Sequence, residues 1–120
     1  RYPELAVAFM KGMIRVGRWS NEHKHAAATI LDKQTYYLDI EDTYQGIKDV
    51  DMVPNLSPQN LASIEIGKDF MLSHGYIEND FDLHEWSAPE FLEEAAKQLV
   101  KERWEKISAE KLSVRTARVG

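Results

Sequence analysis

Leu5, Phe9, Met13 and Val16 recur at helical spacing, and Ala6, Met10, Ile14 and Gly17 form a neighbouring stripe. Together they predict a first helix from about Pro3 to Ser20 with a wide apolar arc. Pro3 suits its first turn, where the missing N–H costs nothing. Ala26, Ala27, Ile30 and Leu31 predict a short second helix over about Glu22 to Gln34. A third, about Ile40 to Ile47, has Asp39 before it, whose carboxylate can accept from the first unpaired N–H groups.

The stretch "KDVDMVPNL", Lys48 to Leu56, reads as extended because of Pro54. Ser57 and Pro58 then start a helix, as cap and first helical residue. This fourth helix runs to about His74, with Gly75 as a left-handed stop. Leu61, Ile64, Met71 and Leu72 line one side of it and Ala62, Ile66 and Phe70 another, so it is expected to be buried on two sides. Ser87-Ala88-Pro89-Glu90 reads as a capping box for the last long helix, expected to end near Ile107. Leu92, Ala95, Ala96, Leu99, Val100, Trp104 and Ile107 form its predicted buried arc. Arg103 falls inside that arc, its stem expected along the core and its head outside. Glu93/Lys97 and Glu102/Lys106 are spaced as surface ion pairs. The residues after Ser108 are expected to wrap or fray.

The result is a mostly α fold of about five helices, residues 1–107, followed by a tail, 108–120. Tyr36 to Leu38 and Val50 to Val53 are the only short strand candidates. There are no internal repeats.

Composition narrows the functional classes. The chain has 120 residues, room for one domain. Its net charge of −5, from 15 basic and 20 acidic residues, argues against a general nucleic-acid binder, which needs a concentrated basic face. No apolar run approaches the roughly 18 residues that cross a membrane. The lack of cysteine excludes disulfides, thiol catalysis and Cys-based zinc sites within the chain. The opening Arg1-Tyr2-Pro3-Glu4, without initiator Met or signal peptide, reads as the interior of a longer protein.

The stretch "ENDFDLHEW" is the densest in chemistry. It sets Glu78, Asp80, Asp82, His84 and Glu85 close together. A calcium loop counted from Asp80 would need glycine at its sixth position and glutamate at its twelfth, where this chain has Glu85 and Phe91. His84 with two carboxylates has the ligand types for zinc, but no HExxH spacing accompanies it. The favoured reading is a connection between helices. Ile77, Phe81, Leu83 and Trp86 plug the core, and the acids face water or cap the next helix. His23 and His25 fall at a helix start, where i and i+2 point apart, so they read as exposed rather than as a metal pair. Trp19, Trp86 and Trp104 are expected in the core rather than on a ligand. No GxSxG, Walker or GxGxxG motif is present. No catalytic or metal-binding residue is assigned, ligand-binding residues are not identifiable, and no cofactor is implied.

The order of these pieces resembles a known family. "YPELAVAFMKGMIRVGRW", "AAATIL", "DVDMVPNLSPQNL" and "KDFMLSHGYIENDFDLHEW" are similar to the C-terminal part of solute-binding proteins of the nitrate/sulfonate/taurine type, a group that includes thiamine-precursor binding proteins. The resemblance covers about Tyr2 to Glu94 and rests on helix ends and apolar positions. It departs from the pattern at "QTYYLDIED", where a glycine is expected before the third helix.

The resemblance implies a two-lobe α/β fold of the periplasmic-binding-protein type II, of which this chain forms the helical C-terminal portion. The parent would bind a small anion such as nitrate, a sulfonate, taurine or an aromatic acid, and deliver it to an ABC permease. It would be periplasmic or extracytoplasmic. An enzymatic branch, the desulfinases, shares the fold and would be cytoplasmic; its cysteine nucleophile lies in a region this chain does not contain. A third expectation, independent of the family, is a free-standing helical interaction domain. In isolation the chain is expected to self-associate, because surfaces that cover a sheet would be exposed.

Overall fold

The computed structural model describes residues 2–35 and 39–119. Among the described residues, six helices and no strand make the fold mostly α. The helices are α1 (Pro3–Glu22), α2 (Lys24–Asp32), α3 (Ile40–Ile47), α4 (Pro58–Ser73), α5 (Leu83–Trp86) and α6 (Pro89–Val119). The strand candidate at Tyr36 to Leu38 lies outside the described residues. The candidate at Val50 to Val53 is irregular, without strand pairing. The chain divides into two compact units: Arg1–Lys11 with Ala88–Gly120, and Gly12–Ser87.

In the Gly12–Ser87 unit, α1 turns its narrower stripe inward. Ile14, Gly17 and Ser20 are buried. The larger stripe, expected to share the core, faces out here: Val16 is 60% exposed and Met13 40%; in the other unit Leu5 and Phe9 are exposed as well. Small side chains win the inward face because the extended segment after α3 lies directly against it. A Cβ placed on Gly17 would sit 2.5 Å from the Met52 carbonyl oxygen and 2.7 Å from the Val53 Cα. One turn on, Asn21 donates through Nδ2 to Asp51 Oδ1 at 2.8 Å, and its Oδ1 accepts from the Met52 N–H at 2.9 Å. Lys24, a further three residues along, donates from Nζ to the Ile47 carbonyl at 3.0 Å and to the Val50 carbonyl. It thereby satisfies a carbonyl at the C-terminus of α3, where a positive charge is also favoured.

α2 and α3 pack side by side through Ala27, Ala28 and Thr43. This inward face lies one position along from the predicted one. Ala26, Ile30 and Leu31 are exposed. Asp39 caps α3 as expected, accepting from the Asp42 N–H at 2.8 Å. Ser57 caps α4, accepting from the Asn60 N–H at 3.2 Å, and Pro58 is its first residue. Gly75 closes α4 at φ +70°, the left-handed region that favours glycine.

Two expectations for the last helix are corrected. α6 begins at Pro89, and the Ser87 hydroxyl donates to the His84 carbonyl at 3.3 Å, so Ser87 closes α5 rather than capping α6. α6 also continues past Ile107 to Val119. Between Ser108 and Val119 no glycine or proline interrupts it, and Ala, Glu, Lys, Leu and Arg all favour helix. Its buried residues are Ala95 and Leu99; Val100 and Trp104 are exposed. Glu102 pairs with Lys11, and Lys97 stands 3.9 Å from Glu94.

Candidate functional site

The "ENDFDLHEW" stretch is organised by a residue outside it. Lys68 is the one buried residue of α4, at 5% exposure. Its ammonium lies 2.6 Å from Glu65 Oε1 and 2.9 Å from Asp80 Oδ1, and donates to the Phe81 carbonyl at 3.1 Å. It also stands 5.5 Å from the centre of the Phe81 ring. An ammonium has three N–H groups. Three acceptors therefore exhaust it, leaving no donor for an incoming ligand.

The loop then folds by its own acids. Asp80 Oδ1 accepts from the Phe81 N–H at 2.8 Å. Asp82 caps the short α5, accepting from the His84 N–H at 2.8 Å and the Glu85 N–H at 3.0 Å. Leu83 is buried beneath, as predicted. Trp86 is not a core plug: it is 66% exposed, with its ring 5.6 Å from Phe81. Trp19 and Trp104 are likewise exposed, so the expected tryptophan core does not form.

Beside Lys68 lies a concavity of about 800 Å³, with Leu61, Phe81 and Leu83 among its apolar walls and Glu65, Asp82 and His84 at its polar edge. Among the described residues, no three His, Asp or Glu side chains converge as metal ligands. His23 and His25 are also apart. The His23 ring stacks on Trp19 and its Nδ1 is 2.9 Å from the Trp19 carbonyl, while the His25 ring stacks on Tyr44 at 3.7 Å. No nucleophile paired with a base lines the concavity. Its chemistry is that of a charge staple joining the 80–86 loop to α4.

The charges reinforce one another. Glu65, and after it Asp80, push the Lys68 ammonium up from its ordinary range. Lys68, with the Phe81 N–H, holds the Asp80 carboxyl below the usual carboxylate range. The Glu85 and His84 N–H groups do the same for Asp82. Lowered carboxyl values stabilise the fold fully above their unfolded values, near 4, and lose that contribution as pH falls through the lowered ones. The raised lysine contributes fully below its unfolded value, about 10.4, and loses it only above its raised value. The contributions of the ion pair and the Asp82 cap are therefore expected to be constant between about pH 5 and 9 and to be lost on acidification. The side-chain carboxyl resonances of Asp80 and Asp82, followed from neutral pH downwards, should titrate with midpoints below about 4. Midpoints above that value would show that the ion pair and cap do not hold the loop.

No described helix is long and apolar enough to cross a membrane. Compared with protein-family models, curated proteins and solved structures, the chain matches none of them.

Proposed function

We propose that this chain is a helical scaffold segment of a solute-binding protein of the nitrate/sulfonate/taurine type, building one lobe of a two-lobe α/β parent rather than contributing ligand contacts. The observation that carries this reading is that α4 is inverted. Its buried residue is Lys68, whereas Ile66 is 71% exposed, Phe70 53%, and Ile64 and Met71 40% each. A helix with apolar side chains on such faces is completed by a further polypeptide surface. In a two-lobe α/β fold that surface is a sheet. The chemistry of the concavity agrees with a scaffold role, since its one ammonium is already saturated by protein acceptors. Anion recognition would then fall to helix N-termini and hydroxyl groups elsewhere in the parent. The ligand class is a small anion: nitrate, taurine, another sulfonate or an aromatic acid. The parent's partner is an ABC permease, and its compartment is extracytoplasmic.

The test uses the protein purified from its natural source. Its intact mass is compared with the 13.8 kDa of this chain. Its thermal unfolding is then followed with nitrate, taurine, ethanesulfonate and benzoate. The expected result is a mass more than twice as large and stabilisation by one of these anions, about 2.7 kcal/mol at a ligand concentration one hundred times Kd. A native mass of 13.8 kDa, or a larger protein that none of the anions stabilises, would overturn the reading.

A further inference from the structure

We infer that the second half of α6 is a docking face for an acidic helix of another protein, which packs along it as a two-stranded coiled coil. The inference does not rest on the solute-binding reading. Val100, Trp104, Ile107, Lys111, Val114 and Arg118 follow one another at alternating spacings of four and three, the seam of a heptad repeat. All six stand on one uninterrupted helix within one compact unit. The seam lies about a third of a turn round the helix from Ala95 and Leu99, the residues that α6 buries. Val100 is 52% exposed, Trp104 63% and Val114 55%, and Lys111 and Arg118 are exposed as well. Every residue of 108–119 is exposed. A helical stretch of this length with nothing packed on it is marginal by itself, and a second helix along the seam supplies the burial it lacks.

Charge decides what that second helix is. Residues 106–119 carry four basic side chains, Lys106, Lys111, Arg115 and Arg118, against the single acid Glu110, in a chain whose net charge is −5. Two of these cations, Lys111 and Arg118, stand in the seam itself, and Arg103 and Arg115 flank it. Glu102 and Glu105 lie on the far side of the helix. A complementary partner therefore presents carboxylates among apolar side chains, at the positions that face Lys111 and Arg118. Such a charged pair inside an otherwise apolar seam also fixes the register of the two helices.

A second copy of this chain does not meet that requirement. Parallel packing sets Lys111 against Lys111 and Arg118 against Arg118. Glu110 then reaches the other copy's Arg115 only at the solvent-exposed rim, a contact of small value. The antiparallel register that keeps the whole seam paired sets Lys111 against Ile107 and Arg118 against Val100, with no carboxylate in the seam. An anionic lipid surface also fits poorly. Lys111 stands in the middle of the apolar stripe, between Ile107 and Val114, and would point toward hydrocarbon rather than along its edge.

The test titrates the full chain into a fluorescently labelled synthetic peptide of three heptads and follows its anisotropy. The peptide has leucine at its d positions, alanine opposite Trp104, and glutamate opposite Arg103, Lys111, Arg115 and Arg118. Its clustered glutamates keep it from pairing with itself. A second peptide carries lysine at the same positions. The wild type is expected to bind the glutamate peptide, and the lysine peptide about tenfold more weakly or not at all. Lys111→Glu with Arg118→Glu, both at exposed positions, should reverse that preference with unchanged far-UV circular dichroism. Lys33→Glu with Lys106→Glu makes the same change of net charge at exposed positions away from the seam, and should keep the wild-type preference. Phosphatidylglycerol vesicles, titrated in parallel, are expected not to bind. A wild type that binds neither peptide or both equally, a control variant that reverses preference as the seam variant does, or vesicles that bind through Lys111 and Arg118 would overturn the proposal.

Discussion

Gly17→Ala is expected to destabilise the chain by about 2 to 3 kcal/mol, although alanine is the better helix former. Inside an exposed helix the same exchange stabilises by about 1 kcal/mol. At Gly17 the new Cβ would lie 2.5 Å from the Met52 carbonyl oxygen and 2.8 Å from its carbon. Both are backbone atoms, so no side-chain rotation relieves the clash. The segment must lift from α1. Lifting it breaks the hydrogen bonds of Asn21 to Asp51 and to the Met52 N–H, and draws the Val50 carbonyl away from Lys24. Asp51 would also lose the Asn21 amide, the main cause of its lowered pKa. Gly67 supplies the control, since it lies within α4 and a Cβ placed on it would meet nothing within 4 Å. Urea unfolding should move the midpoint down for Gly17→Ala and slightly up for Gly67→Ala. Equal midpoints would show that the segment does not lie against α1.

The contrast between these glycines marks what a sequence can and cannot display. Most helix starts and stops are local chemistry and legible, Ser87 and the end of α6 being the exceptions. Asp39, Ser57 with Pro58, and Gly75 each act within a few residues of themselves, and each stands where its chemistry requires. Which face of a helix turns inward is decided by what arrives from elsewhere in the chain. Both stripes of α1 have helical spacing, and only the approach of Met52 and Val53 selects the one containing Gly17. Gly17, Asn21 and Lys24 do carry a signal, because small, amide and cationic groups at spacings of four and three share one side. Nothing in the spacing says which segment they receive. The end of α6 departs from expectation for a related reason. Low apolar content argues against burial, but not against helix in a run without Gly or Pro.

The site is half legible. That the acids of "ENDFDLHEW" face water or cap a helix can be read from the residues, as can the burial of Leu83; the short helix that Asp82 caps, α5, cannot. The residue that anchors them cannot, because a lysine in a helix ordinarily reads as solvated. The one clue is its place. Lys68 interrupts the stripe of Leu61, Ile64 and Leu72, with Glu65 one turn before it. A cation in the middle of an apolar stripe needs an acceptor brought from outside the helix, and the acids following Gly75 are the nearest supply in sequence.

Lys68→Met is expected to release that loop. Methionine keeps much of the apolar stem but removes the ammonium, leaving the Glu65 and Asp80 carboxylates close together without their shared cation. Two like charges at short range repel, and the Phe81 carbonyl loses its donor as well. Glu65 and Asp80 already reach water, at 45% and 69% side-chain exposure, so the repulsion is relieved by the loop moving away from α4, which also uncovers Leu83. The amides of Phe81, His84 and Glu85 should then exchange with solvent faster by about tenfold or more. The paired helices α2 and α3, held by Ala27, Ala28 and Thr43, should keep their protection. Combining Glu65→Gln and Asp80→Asn with Lys68→Met removes the repulsion and should restore part of the lost protection, because a polar contact deleted on both sides costs less than one deleted on one side. Unchanged exchange in Lys68→Met, or exchange that quickens equally in α2 and α3, would mean that apolar packing rather than this lysine holds the loop.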